Sequence, residues 1–572
     1  MQHKKLISKT LTTAVMLALY IGGAQPSITS AQEYTDQING ANDAYAAHGI
    51  RTTVGMESTY TFAEGDVVKW TNAYPAVEVW DEGTHLKFTT PLNLQLDIKD
   101  GATSGIHAAT SNYDTPGRLT AQDVNITGQS TGSNYNINRI YISGIDTYAA
   151  DIKMENLNID ITADGKPDSI ADGIFMGRDF EDTDSEHLLT VTGDTSIKAV
   201  SKNGSYAWAA GIEAKDQAKM NFGKLTIATE AIAENLARTN GIFAAGNSEI
   251  NAGETHIDVK AYSPNNDESG DSIGINAYAN SKVNIGDGST IYAEGNGDGG
   301  ISTIGVRAGD YSTVNLGITN IRAENNSAEG TVDVLFVEDG SVLNMAGGTI
   351  TGANNANNGL FNAINAYGED PDPTWHTDTI VNINQGTTND VVIVGDVHAA
   401  NTAIVNLNLN TDASSITGNL DQSGPYEDKD DSAGTINLTL ANKAIWHAMG
   451  EYGIGYSYLE TLTLNDGSIT MTNEEVQNID INHLQGTGGE LTLEADANLN
   501  TGFFRVNNAD TDAAAVHTSY AGINADNVKD AAGLEGLIKN SLKIHDDSAA
   551  KFGFYVKFWG IQDFNIIDLD NI

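Results

Sequence analysis

Between residues 211 and 350 the chain repeats itself, and the repeat restricts the fold more than any other feature of the sequence. One element reads Gly211-Ile212-Glu213-Ala214, Gly241-Ile242-Phe243-Ala244, Gly274-Ile275-Asn276-Ala277 and Gly305-Val306-Arg307-Ala308, at intervals of 30, 33 and 31 residues. A second is apolar-Asn-apolar-Gly: Met220-Asn221-Phe222-Gly223, Ile250-Asn251-Ala252-Gly253, Val283-Asn284-Ile285-Gly286 and Val314-Asn315-Leu316-Gly317, with Leu343-Asn344-Met345-Ala346 as a variant fifth copy. A third apolar element follows each asparagine, at Ile227, Ile257, Ile291, Ile321 and Ile350. In the first element apolar residues alternate with a variable one, which is the period of a strand with one face inside and one outside. Each period therefore holds three short strands.

A unit of this size cannot bury its apolar face alone, whereas coiling the chain so that successive periods stack buries a continuous core. The spacing predicts an all-β, parallel β-helix in which each strand pairs with its equivalent one turn along. About thirteen turns between residues 105 and 500, at about 4.8 Å each, would make a rod about 60 Å long. Asn221, Asn251, Asn284, Asn315 and Asn344 would fall in one column and bond to one another, a structural role. Upstream, Gly105-Ile106, Gly144-Ile145 and Gly173-Ile174 continue the first element at intervals of 39, 29 and 38, so the longer periods carry inserted loops. The loop candidates are Ser111–Gly117, Phe180–His187 and Asn265–Asp271; Gly368–Trp375 and Asp421–Ser432 interrupt the strands further on. The aromatic segment from Gln32 to Leu86, with Trp70, Tyr74 and Trp80, is expected to cap the exposed strand edges at the N-terminal end.

Lys4, Lys5 and Lys9 precede an apolar run from Leu11 to Ile21, and Thr29 and Ala31 suit a signal-peptidase site. Gly22 and Ala24 offer a second cut. The run is eleven residues where a spanning helix needs roughly 20, so residues 1–31 are expected to be an export signal and the remainder a soluble, exported chain. The formal net charge is −46, from 76 acidic and 30 basic side chains. That balance excludes a nucleic-acid partner, which requires clustered Lys and Arg. Cysteine is absent, so disulfides, thiol nucleophiles and thiolate metal sites are excluded as well.

From Ala441 to Val506 the sequence resembles the C-terminal passenger region of pertactin-like Gram-negative autotransporters. Ile445-Trp446, Leu462-Thr463-Leu464-Asn465-Asp466-Gly467-Ser468-Ile469 and Leu484-Gln485-Gly486-Thr487-Gly488-Gly489 match its tryptophan rung, its L-x-L-x-x-G-S strand and its L-x-G-x-G-G turn. Val405–Leu409 with Ile416-Thr417-Gly418 is similar to the preceding rung. The resemblance implies a right-handed β-helix displayed outside the outer membrane, with C-terminal rungs that fold first. It divides the chain into residues 1–31 (signal), 32–104 (cap and first turns), 105–440 (passenger repeats), 441–510 (autochaperone-like turns) and 511–572. Only 66 residues follow Val506, too few for the family's translocator barrel of about a dozen strands. Membrane association is thus expected only through a barrel outside this chain; a fragment, a disrupted gene and another secretion route all stay open. Ala525–Leu542 reads as an amphipathic helix carrying Val528, Leu534, Leu537 and Ile538, and Lys551–Trp559 as a strand.

No catalytic, cofactor or metal residue is assigned. Gly270-Asp271-Ser272-Ile273 lacks the last glycine of a serine-protease Gly-Asp-Ser-Gly, a G-x-S-x-G elbow is missing, and the histidines form no H-x-x-x-H pair. Asp430-Asp431 and Asp546-Asp547 read as solvated loops. Calcium is the one cofactor weighed: Asn265, Asp267, Ser269 and Gly270 imitate half of an EF-hand loop, but Asn276 stands where its bidentate glutamate belongs. Gly295–Gly299 carries one copy of a glycine-aspartate calcium repeat, and Arg307-Ala308-Gly309-Asp310 is one residue too long for Arg-Gly-Asp. The expected function is a non-enzymatic adhesin or self-association module whose partners are host surface or matrix glycans or proteins, or a second copy. A polysaccharide lyase or glycoside hydrolase and a passive surface protein are the alternatives. The acidic surface implies short-range or divalent-bridged contacts, and self-association that rises with salt or calcium.

Overall fold

The computed structural model describes residues 50–51, 55–80, 83–109, 116–132, 139–148, 150–177, 187–265, 270–297, 300–327, 329–355, 361–368, 377–422, 434–449, 456–472, 477–510, 516–523, 531–544, 554–558 and 562–566. Among the described residues it is all-β apart from one helix, Ala531–Ser541. The chain forms two compact units: residues 1–233 with 248–252, and residues 234–247 with 253–572.

Strand pairing follows the sequence repeat. In the second unit Ile275 lies opposite Val306, Val306 opposite Leu335, Leu335 opposite Ile364 and Ile364 opposite Val397, all in parallel register. The third element stacks likewise, Ile257 on Ile291, Ile291 on Ile321, Ile321 on Ile350 and Ile350 on Ile393. In the first unit Ile106, Ile145, Ile174 and Ile212 form the equivalent column. All four are fully buried, because each lies between apolar neighbours of the layers on either side. Trp446 is a member of such a column, between Ile416 and Ile469; it is fully buried and donates its Nε1–H to Gly418 O at 3.0 Å.

The asparagines do bond to one another. In the second unit each Nδ2 donates to the Oδ1 one layer earlier: Asn315 to Asn284 at 2.7 Å, Asn344 to Asn315 at 2.8 Å, Asn382 to Asn344 at 2.9 Å, Asn406 to Asn382 at 2.8 Å and Asn437 to Asn406 at 2.9 Å. In the first unit Asn251 donates to Asn221 at 3.0 Å. An amide is donor and acceptor at once, so every member of a column is satisfied by the next. Asn382, Asn406 and Asn437 extend the ladder beyond the copies that the repeat identifies.

The glycine of the first element is required by close approach. A Cβ at Gly144 would stand 2.6 Å from Gly173 O and 2.7 Å from Ile159 Cγ2; at Gly305 it would stand 2.6 Å from Val334 O and from Ile321 Cγ2. The in-out alternation also slips here. In Ile140–Tyr148, Ile142 and Ile145 are both buried core residues although three apart, so Ser143 and Asp146, either side of Gly144-Ile145, lie on the side away from the core.

At the C-terminal end the helix runs Ala531–Ser541, with Leu537 and Ile538 buried; residues 524–530, where the pattern begins, lie outside the described residues. Phe554–Phe558 is a strand, paired antiparallel with Gln562–Ile566. The signal segment, residues 32–49 of the expected cap, and the centres of the five expected loops and breaks also lie outside the described residues.

Candidate functional site

Where the alternation slips, three successive strands of the first unit carry an ordered grid of outward side chains. The strands are Ile140–Tyr148, Asp168–Gly177 and the end of His187–Ala214. Tyr141, Ile170 and Trp208 stack in register; so do Ser143, Asp172 and Ala210; so do Asp146, Phe175 and Glu213. Two aromatic rings thus stand at one edge, a ring flanked by two carboxyl groups at the other, and a third carboxyl group between small neighbours in the middle.

Asp172 is the most deeply buried acid of the three, 3% exposed. Burial pushes its carboxyl well above the ordinary carboxylate range, and the negative charges of Glu213 and Asp146 push it further, against a hydrogen bond from Tyr141. Burial and the Asp172 and Asp146 charges likewise raise the Tyr141 phenol. Asp172 Oδ1 and Asp146 Oδ1 are buried without a hydrogen-bond partner, a cost that native structures rarely leave uncompensated. Among the described residues two basic side chains meet these acids: Lys215 pairs with Glu213, and His107 Nδ1 lies 3.3 Å from Asp146 Oδ2. Aromatic contacts frame the acids. Tyr148 and Phe175 have ring centroids 5.5 Å apart at 54°, and Lys215 Nζ sits 5.7 Å over the Phe175 ring.

A different groove of the same unit, about 530 Å³, is lined by Asp123, Asn125, Asn156, Asn158, Asp194 and Lys224. Two of its amides are already paired: Asn156 donates to Asp123 at 2.8 Å and accepts from the Asp194 amide at 2.9 Å, and Asn125 donates to Asn93 at 2.9 Å. In the second unit the corresponding outward column holds Arg307, Phe336, Asn365 and His398. There Asn362 and Asn365 both donate to Asp333, at 2.8 and 3.1 Å, and burial holds the His398 imidazole below its usual range.

Ser272 is fully buried, bonded to Val259 O at 3.4 Å, with Thr239 and Thr303 opposite it in the neighbouring layers. It presents no nucleophile to solvent. Residues 266–269 of the calcium-like string, and Asp298 and Gly299 of the other, lie outside the described residues, as do Asp430-Asp431 and Asp546-Asp547. Among the described residues no three His, Asp or Glu side chains are placed to hold a metal ion.

Motif reading passed over this face. Glu213 was visible only as the variable residue of one repeat, and Asp146, Asp172, Tyr141 and Trp208 belong to no motif. The signal that finds them is columnar: aligned on Gly-Ile, Ser143-Gly144-Ile145-Asp146, Asp172-Gly173-Ile174-Phe175 and Ala210-Gly211-Ile212-Glu213 place the acids on both sides of one kink. No protein-family model, curated protein or solved structure matches this chain.

Proposed function

We propose that the chain is a right-handed parallel β-helix, three short strands per turn, and that it is the exported, surface-displayed passenger of a pertactin-like Gram-negative autotransporter. On this reading it is an adhesin or self-association module that binds carbohydrate through the grid on the first unit. The parallel register at the repeat interval supports the fold, and the buried Trp446 in its column supports the family resemblance. The domain boundaries at 31, 104, 440 and 510 follow from the same reading.

The observation that carries the function is the grid itself. Tyr141, Trp208 and Phe175 are half-buried side chains set around three carboxyl groups on a parallel sheet. Aromatic faces receive the apolar faces of sugar rings, and carboxyl groups accept bonds from their hydroxyls. The test is binding of the purified exported chain to host cells, matrix proteins and an immobilised glycan panel, with sedimentation to read self-association. Binding that drops at least about tenfold in Trp208→Ala is expected; a chain that binds no surface, glycan or second copy would sink the proposal.

One observation favours a second reading, glycoside hydrolysis. The Asp172 carboxyl, pushed well above the ordinary carboxylate range by burial, lies on the same face as the carboxyl groups of Asp146 and Glu213, and carboxyl groups set close together in unlike surroundings are what an acid and a base require. Release of reducing ends from a polysaccharide panel, lost in Asp172→Asn, would promote it, and no release from any member would retire it.

A further inference from the structure

We infer that one turn corner of the second unit is a platform for an uncharged glycan chain, which lies along the stacked layers with its pyranose rings against Tyr278, Tyr311 and Tyr367. The inference does not depend on the grid and concerns a different surface. Its first support is a tyrosine where the backbone disfavours one. Four successive layers turn this corner through two residues in the left-handed region: Gly246-Asn247, Ala279-Asn280, Asp310-Tyr311 and Asp339-Gly340. The turns are in register, since the Asn247 N–H donates to Ala279 O at 2.9 Å, that of Asn280 to Asp310 O at 2.8 Å and that of Tyr311 to Asp339 O at 2.9 Å. At the second position three layers have Asn or Gly, the residues that tolerate a positive φ. The remaining layer has Tyr311 at φ +62°, a conformation that a bulky side chain adopts only at a cost. Burial does not offset that cost, because the residue is 37% exposed. Backbone strain kept for the sake of an exposed ring points to a ligand rather than to packing.

The neighbouring layers seat the rings without covering them. A Cβ at Gly340 would stand 2.8 Å from Cδ1 and Cε1 of Tyr311, and a Cβ at Gly309 3.3 Å from Cδ2 of Tyr278. Each ring thus rests against a glycine of the next layer, and Tyr278 stays 41% exposed. Ala277, Ala308, Val337 and Ala366 are in register, so Tyr278 and Tyr367, which follow the first and the last, share a column three layers, or about 14 Å, apart. Tyr367 is exposed as well. Asn280, Asp310 and Asp339 stand in the same turns, exposed or half-buried. A protein partner calls for a contiguous apolar patch, whereas rings interrupted by amide and carboxyl groups suit a ligand with apolar faces and hydroxyl edges, a sugar chain. The carboxyl groups, on a chain of net charge −46, repel a uronate or a sulfated sugar, which leaves an uncharged one.

The test is calorimetric binding of the full exported chain to cellohexaose, an N-acetylglucosamine hexamer, a galacturonate hexamer and decalysine, with sedimentation to read self-association. The expected result is binding of a neutral hexamer that weakens at least about tenfold in Tyr311→Asn and is retained in Tyr311→Phe, which keeps the ring. Asparagine already occupies this turn position at Asn247 and Asn280, so Tyr311→Asn should melt no lower than the parent chain. Binding then falls while stability holds or rises, the opposite of what removing a packing residue does. No binding of either neutral hexamer, equal binding by Tyr311→Asn, or a lower melting temperature in that variant overturns the inference, as does tighter binding of galacturonate or decalysine. Self-association that disappears in Tyr311→Asn, without glycan binding, assigns the corner to a second copy and overturns it too. Glycan binding lost in Trp208→Ala but intact in Tyr311→Asn overturns the inference while leaving the carbohydrate-binding grid in place.

Discussion

Replacing Asn315 with alanine removes two rungs of the amide ladder in the second unit. One is the bond its Nδ2 donates to Asn284 at 2.7 Å, the other the bond its Oδ1 accepts from Asn344 at 2.8 Å. Each is worth a net ~1 kcal/mol, and the half-buried Asn344 amide left without its acceptor adds a desolvation cost, for about 2–3 kcal/mol in all. Asn437 supplies the internal calibration. Among the described residues it makes one ladder bond, to Asn406 at 2.9 Å, so Asn437→Ala should cost about 1 kcal/mol. Because stacked layers open locally, amide hydrogen exchange is the right assay, read in Lys282–Ile285 and Thr313–Asn325 for the first variant and in Thr435–Ala441 for the second. Exchange should accelerate about 30- to 150-fold for Asn315→Ala and about fivefold for Asn437→Ala. Equal effects of the two substitutions, or none, would refute the claim that the amides bond in series.

Other expectations follow from single positions. Gly305→Ala forces a Cβ to 2.6 Å from Val334 O and Ile321 Cγ2 and should destabilise the second unit by about 1–3 kcal/mol; an unchanged melting curve contradicts the close approach. Ala279 has φ +53°, so Ala279→Gly should stabilise by up to about 1 kcal/mol, less the entropy glycine adds to the unfolded chain; a lower melting temperature counts against it. The folded-state pKa of Asp172 is raised, so its contribution is complete below the ordinary carboxyl value of about 4 and is lost as pH climbs from there through the folded value. Asp172→Asn should therefore flatten the decline of first-unit stability with rising pH, and a parallel decline in both proteins would exclude Asp172 as its source.

The sequence made the stacking legible because stacking is what produced the repeat. A column such as Ile257, Ile291, Ile321, Ile350 recurs since each layer must bury the same face against the next, and Asn284, Asn315 and Asn344 recur since an amide is satisfied by its own kind. The same logic hid Asn382, whose layer is separated from Asn344 by a 38-residue period, whereas Trp446, which fills the isoleucine column with a different shape, was legible only through the family resemblance. The grid was illegible for the opposite reason. Outward positions outside the amide ladder have no shared partner to satisfy and do not repeat, so Asp146, Phe175 and Glu213 look unrelated until register aligns them. Burial of Asp172 was hidden too, since nothing in Ala171-Asp172-Gly173 distinguishes it from an exposed outward position.

The most direct test of the parallel, layer-on-layer register uses the absence of native cysteine. Thr290 and Asn320, both exposed, face each other in adjacent layers of the second unit, at a separation of about 4.8 Å that a disulfide spans without strain. Oxidation of Thr290→Cys/Asn320→Cys should give a monomeric crosslinked chain, while Thr290→Cys/Ile321→Cys, one residue out of register and on the opposite face, should not. Crosslinking of the out-of-register pair in preference to the first would contradict the register on which the fold and its outward grid depend.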